Sequence, residues 1–81
     1  MESVFLPVED IYVPARFRDV LDEAKVEQIA TTIIETGQQI PIQVRQGKDR
    51  YVLVDGLERL EAVRALGEDT VEALIVRAPR S

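Results

Sequence analysis

Residues 50–67 read RYVLVDGLERLEAVRALG, and this stretch decides the fold. Tyr51, Val52, Leu53 and Val54 form a short apolar run of the kind that makes a buried strand. Asp55-Gly56 breaks it, and residues 57–66 read as a helix closed by Gly67. A strand that runs through a glycine directly into a helix leaves the unpaired N–H groups of the first helical turn facing outward. The helix dipole makes that spot favourable for an anion. A chemical site is therefore expected here first.

Working upstream, Gln46-Gly47-Lys48-Asp49 is a turn signal between two apolar runs, so residues 50–54 are predicted to pair with residues 40–45 in an antiparallel hairpin. In that preceding strand Ile40, Ile42 and Val44 would point one way and Pro41, Gln43 and Arg45 the other. Before it, Asp22 is a good N-cap for a helix reaching about Thr36, with Glu23 in its first turn. Val26, Ile29, Ala30, Ile33 and Ile34 form the apolar face expected of a helix lying on a sheet, and Gly37 closes it. Residues 15–21 are a loop carrying Arg16 and Arg18. Residues 8–13 are a weakly alternating first strand, with Glu9-Asp10 at an edge or bulge and Pro14 at its end. Residues 1–7 read as a lead-in. Downstream, residues 70–76 alternate as a last strand with Val71, Ala73 and Ile75 on one face, and residues 77–81 are expected to fray. The prediction is a single small α+β domain over residues 1–81, in the order β-α-β-β-α-β, with a four-stranded mixed sheet and two helices.

Composition excludes several chemistries. The 46% hydrophobic content, with four glycines and four prolines in 81 residues, fits one folded core and leaves no room for a second. With no cysteine there is no disulfide, thiolate metal site or thiol nucleophile, and with no histidine the commonest general base near neutral pH is missing. No apolar run approaches the roughly 20 residues of a membrane span, and the N-terminus lacks signal-peptide character, so a cytoplasmic protein without membrane contact is expected. A net charge of −5 opposes sequence-independent attraction to nucleic acid. Direct DNA binding by this acidic domain alone is not expected.

Residues 8–76 resemble the N-terminal domain of the ParB partition proteins, within the fold shared with sulfiredoxins and free-serine kinases. The resemblance rests on an opening apolar strand followed by a loop arginine, the helix VEQIATTIIETG (residues 26–37), the following QQIPIQV (residues 38–44), and residues 51–67. The Gly37 to Pro41-Ile42 spacing matches the family, and Gly56, Leu57, Glu58 and Arg59 match in part its Gly-Glu-Arg-Arg or Gly-x-His-Arg element. The resemblance implies that this turn holds nucleotide phosphates, from CTP in partition proteins and from ATP or ADP in the enzymes. Gly56 would admit the phosphate to the backbone, Arg59 would pair with it, and Arg16 or Arg18 could close over it. The segment from Gly37 through Gln39 to Pro41 matches the loop that contacts nucleotide in the family. Asp55 aligns with an acidic residue the serine kinases use near the reacting hydroxyl, and is the one catalytic candidate. Leu57 stands where sulfiredoxins carry their cysteine, so sulfiredoxin chemistry is excluded.

Glu58 departs from the pattern, placing an anion where the family carries a His or Arg against the phosphate. At about 4 Å and an effective dielectric of about 20, one reversed charge pair amounts to roughly 4 kcal/mol before screening. A Mg²⁺ ion held by Asp55 and Glu58, or a different side-chain direction, would relieve it. The same four residues have the spacing of a capping box, with Asp55 as N-cap and Glu58 reaching back. Other features have plain structural readings: Arg16 and Arg18 as solvated loop arginines, Glu61 and Arg64 as an exposed helical pair, Gly37 and Gly67 as helix ends, and Tyr12 and Tyr51 as half-buried strand residues. Three functions follow: a nucleotide-binding regulatory or partition-type module, dimeric or joined by a partner that supplies DNA contacts; a small kinase or NTPase using Asp55; or an interaction domain whose phosphate site Glu58 has closed. The helix-turn-helix and dimerisation segments of partition proteins lie outside these 81 residues, and both a fragment and a standalone relative fit.

Overall fold

The computed structural model describes residues 3–77. Five strands and two helices follow in the order β1 (Ser3–Pro7), β2 (Ile11–Tyr12), α1 (Glu23–Thr36), β3 (Ile42–Gln46), β4 (Tyr51–Asp55), α2 (Leu57–Ala65) and β5 (Thr70–Ile75). They form one mixed sheet in the spatial order β1-β5-β3-β4-β2. The β3–β4 hairpin is antiparallel, as its turn chemistry predicts, with a register shift between Gln43 and Val44. β5 returns parallel to β3, pairing Ile42 with Ala73 and Val44 with Ile75.

The expected four-stranded sheet is corrected to five by the N-terminal residues. Ser3–Pro7 pairs antiparallel with β5 along its whole length, Ser3 opposite Leu74 and Pro7 opposite Thr70. Leu6 enters the core while Phe5 faces outward at 67% exposure, so both faces carry apolar residues and the alternation is masked. The first strand expected over residues 8–13 is instead a single 3₁₀ turn at Val8–Asp10 followed by the two-residue β2, which runs parallel to β4. Of the expected tail, only Arg77 falls within the described residues.

The two helices occupy different positions. α2 buries Leu57, Leu60, Ala62 and Val63 against the sheet, and Leu60 joins Ile42, Val44, Leu53 and Ala73 among the fully enclosed core side chains. α1 packs chiefly on α2, not on the sheet, and buries no side chain completely. Only Ile33 of its apolar face reaches the main core, and Ile34 is 70% exposed. Its boundaries are those the caps dictate: Asp22 accepts from the Ala24 and Lys25 N–H groups at 3.1 and 3.3 Å, and Gly37 ends it in the left-handed region. Because α1 rests on so little buried surface, its cap matters to whether it stays docked. Asp22→Ala is expected to lower stability by about 1 kcal/mol, read as a shift in the urea midpoint without a change in slope.

Candidate functional site

The turn between β4 and α2 is built by Gly56. It has φ of +102°, and a side chain there would meet Ile42 Cγ2 at 2.9 Å and the Ile42 Cα at 3.2 Å. The glycine thus lets β4 turn into α2 while lying flat on β3. Asp55 remains in the β4 ladder opposite Gln43, so Gly56, not Asp55, is the N-cap of α2, and no side chain caps that helix. The expected capping box does not form. Glu58 turns the other way: its Oε2 accepts from the Asp22 N–H at 3.4 Å, a long bond that places its carboxylate at the start of α1. This satisfies one free N–H of α1 from a neighbouring helix and leaves the first turn of α2 without a side-chain acceptor.

A cleft of about 350 Å³ opens at this place, between the N-terminus of α2, the start of α1 and the loop at Phe17 and Val20. Asp55, Gly56, Leu57, Glu58 and Arg59 all line it, although the Leu57 side chain itself belongs to the core. Lys25 and Ile29 of α1 form the opposite wall. The charged lining is two cations, Lys25 and Arg59, and two anions, Asp55 and Glu58. Among the described residues no three carboxylates gather as a metal cage, so Asp55 and Glu58 could supply only part of a Mg²⁺ shell, the remainder being water and phosphate oxygen.

Lys25, Ile29 and Arg59 are shared with a second hollow of about 280 Å³, an apolar groove between α1 and α2 walled by Ile33, Ile40, Val63 and Val71. Gln39 lines it, and its Oε1 is buried with no hydrogen-bond partner. Arg59 bridges the two halves and donates to the Pro41 carbonyl at 3.5 Å. Pro41 therefore takes part through its backbone, and Ile40, expected on the inward face of β3, precedes the strand at 66% exposure.

The remaining candidates lie outside the two hollows. Arg16 donates to the Val54 carbonyl at 3.2 Å and stacks 4.2 Å from the Phe17 ring centre, so it braces the loop against the end of β4. Arg18 is exposed in the same loop, and Gly37 is the left-handed end of α1. Glu61 and Arg64 form the expected surface pair at 3.7 Å. Tyr12 is 41% exposed and carries Arg50 3.7 Å above its ring. Sequence reasoning missed Lys25, which lines both hollows, and Gln28, which lines the apolar groove alone of the two. The available signal was weak: a lysine in the first turn of α1 is a cation at the end of the helix where the dipole disfavours one.

The sequence profile of the ParB N-terminal domain matches residues 1–81. The chain belongs to the ParB N-terminal domain family. This ParB N-terminal domain is 40% identical over 72 residues to the nucleoid occlusion protein of Halalkalibacterium halodurans, covering 86% of the chain and 25% of that protein. It is likewise 40% identical over 73 residues to the nucleoid occlusion protein of a Geobacillus species, covering 86% of the chain and 26% of the relative. The chain thus spans about a quarter of the length of these curated relatives. Among solved structures it is similar to sulfiredoxin from Arabidopsis thaliana, with a TM-score of 0.83, 31% identity, and coverage of 96% of this chain and 88% of that one. It is also similar to the chromosome-partitioning protein ParB of Caulobacter crescentus, solved as a complex with CTP-γ-S, with a TM-score of 0.77, 26% identity, and coverage of 98% and 46%. A free serine kinase in complex with ADP shares the fold at a TM-score of 0.80 and 22% identity, over 94% of this chain and 31% of the kinase.

Proposed function

We propose that this ParB N-terminal domain binds a nucleoside triphosphate across its two hollows, phosphates in the polar cleft and base in the apolar groove. It would serve as the nucleotide-responsive module of a partition or nucleoid occlusion protein. The observation that carries this reading is the uncapped N-terminus of α2, opening between Lys25 and Arg59 into a cleft continuous with an apolar groove. Backbone N–H groups and a helix dipole receive an anion there, two cations flank it, and the adjoining groove suits a flat apolar ring. The similarity to a ParB solved with CTP-γ-S supports CTP as the ligand, and the fold shared with an ADP-bound kinase keeps ATP and ADP in the comparison. Mg²⁺ would enter with the nucleotide, its remaining ligands drawn from Asp55 or Glu58 and water. With a net charge of −5, this domain leaves DNA contacts to other segments, to a second copy, or to a partner. Among the described residues no helix is long and apolar enough to cross a membrane.

The competing reading, an interaction domain that has lost its phosphate site, draws on one observation: Glu58 lines the same cleft and brings a negative charge into it. Calorimetric titration with CTP, ATP and ADP, each with and without Mg²⁺, separates the two. Binding is expected, and Arg59→Ala and Lys25→Ala should each weaken it about tenfold, the scale of one lost charge-assisted contact. Nucleotide binding that neither substitution affects would place the phosphates elsewhere.

A further inference from the structure

The two edges of the sheet are built differently. On the β2 side the edge strand is two residues long, Arg50 lies over the Tyr12 ring, and Arg16 occupies the Val54 carbonyl just beyond it. Short strands and cations of this kind blunt an edge against a further strand. The β1 edge has no such protection. Ser3–Pro7 is five residues long, pairs with β5 without a bulge and carries no charged side chain. Among the described residues no strand lies on its other side. The Val8 N–H bonds to the Asp69 carbonyl, so by the period of two Leu6 and Val4 also turn their backbone groups toward β5. Ser3, Phe5 and Pro7 turn theirs outward, to the free edge. We propose that β1 pairs antiparallel with β1 of a second copy of this chain, with Phe5 opposite Phe5 on the twofold axis.

The strand is its own complement in that register. Each Phe5 N–H donates to the Phe5 carbonyl of the other copy, and each Ser3 N–H donates to a Pro7 carbonyl. Pro7 lacks an N–H, but it falls in the outermost pair, where the missing donor leaves the centre of the ladder whole. On the outer face the two Phe5 rings, each 67% exposed in a single copy, cover one another. On the inner face Val4 falls opposite Leu6, which extends the apolar core across the junction. A pair centred on Ser3 or Pro7 would engage only the end of the strand, and Val4 and Leu6 direct their hydrogen bonds the other way. Two short strands meeting along one edge bury less than the roughly 1,200 Å² of a standard interface, so the dimer is weak and concentration-dependent. It uses no residue of either hollow and therefore needs no nucleotide.

Sedimentation equilibrium of the full chain from about 10 µM to about 1 mM, with and without CTP, tests this. A monomer–dimer equilibrium is expected, unchanged by CTP. Phe5→Lys removes the ring pair and sets two like charges opposite each other, and should weaken the dimer at least about tenfold. The side chain is exposed in a single copy, so thermal unfolding at low concentration should change little. Single cysteines read the register, in a chain that has none of its own. Two Phe5→Cys copies bring their Cα atoms to about 5.5 Å, within disulfide reach, whereas two Ser3→Cys copies hold theirs about 13 Å apart along the strand. Oxidation should cross-link the first variant and not the second. A chain that stays monomeric throughout overturns the proposal, as does a dimer that forms only with CTP or one that Phe5→Lys leaves intact. Cross-linking of Ser3→Cys as fast as Phe5→Cys overturns it as well.

Discussion

Gly56→Ala is expected to lower the stability of the domain by about 3 kcal/mol or more, the sum of a strained backbone and an overfilled core. The backbone contribution comes from φ of +102°, a region that L side chains rarely adopt. The packing contribution comes from Ile42, which is fully buried and would be met by the new methyl at 2.9 Å from its Cγ2, 3.1 Å from its Cβ and 3.2 Å from its Cα. The far end of a flexible side chain could step aside; a β-branched residue fixed in the middle of the sheet has no such freedom. For a chain of 81 residues the whole folding free energy is of the order of 4–12 kcal/mol, so this one methyl should remove much of it. Gly37→Ala provides the control. It shares a positive φ of +70° but has nothing within 4 Å, so only the backbone strain of about 1 kcal/mol remains. Urea unfolding of the two variants side by side checks the argument: equal losses would show that Ile42 gives way freely and that the contact with β3 is unimportant.

The same glycine shows which parts of this protein could be read from its sequence. α1, the β3–β4 hairpin and the β4-Gly56-α2 passage were legible because their signals are local: Asp22 and Gly37 at the ends of α1, a Gly-containing turn at residues 46–49, and an apolar run stopped by Asp55-Gly56. β1 was not, because its partner β5 lies about 70 residues away, Ser3 pairing with Leu74, and Phe5 facing solvent hides the period of two. Val8, Ile11 and Val13 are apolar and predict a strand over residues 8–13. The chain instead makes one tight turn there, with the Ile11 N–H bonded to the Val8 carbonyl.

At the site the sequence located the cleft but not its wiring. Four consecutive residues, Asp55-Gly56-Leu57-Glu58, carry capping-box spacing, yet the pairing of Asp55 with Gln43 holds it in the ladder, and Glu58 instead meets α1. The far wall, Lys25 and Ile29, comes from a helix about 30 residues upstream. Only the docking of α1 onto α2 brings those side chains to the cleft, and no local pattern encodes it.

Glu58→Gln is expected to raise affinity for a nucleoside triphosphate by between tenfold and a hundredfold. The exchange removes one negative charge from a cleft whose lining otherwise has two cations against Asp55 alone. A full charge pair at about 4 Å amounts to roughly 4 kcal/mol at an effective dielectric of about 20. Glu58 is only half-buried and leans toward the start of α1, so distance and salt reduce the gain to about 1–3 kcal/mol, which is the stated range in affinity. Glutamine keeps an oxygen for the Asp22 N–H, so stability should change by less than about 0.5 kcal/mol. Glu58→Ala removes both charge and bond, and should show the same rise in affinity together with a measurable loss of stability. Comparing the pair therefore separates the carboxylate as a charge from the carboxylate as a link between helices. Titration at low and high salt adds an independent check, because a charge effect must shrink as ionic strength rises. Should neither variant bind more tightly than the unaltered chain, Glu58 lies clear of the phosphates and its contact with α1 is its whole role. Should the unaltered chain bind nothing and Glu58→Gln bind, the cleft is a phosphate cradle that this protein holds closed with a side chain of its own.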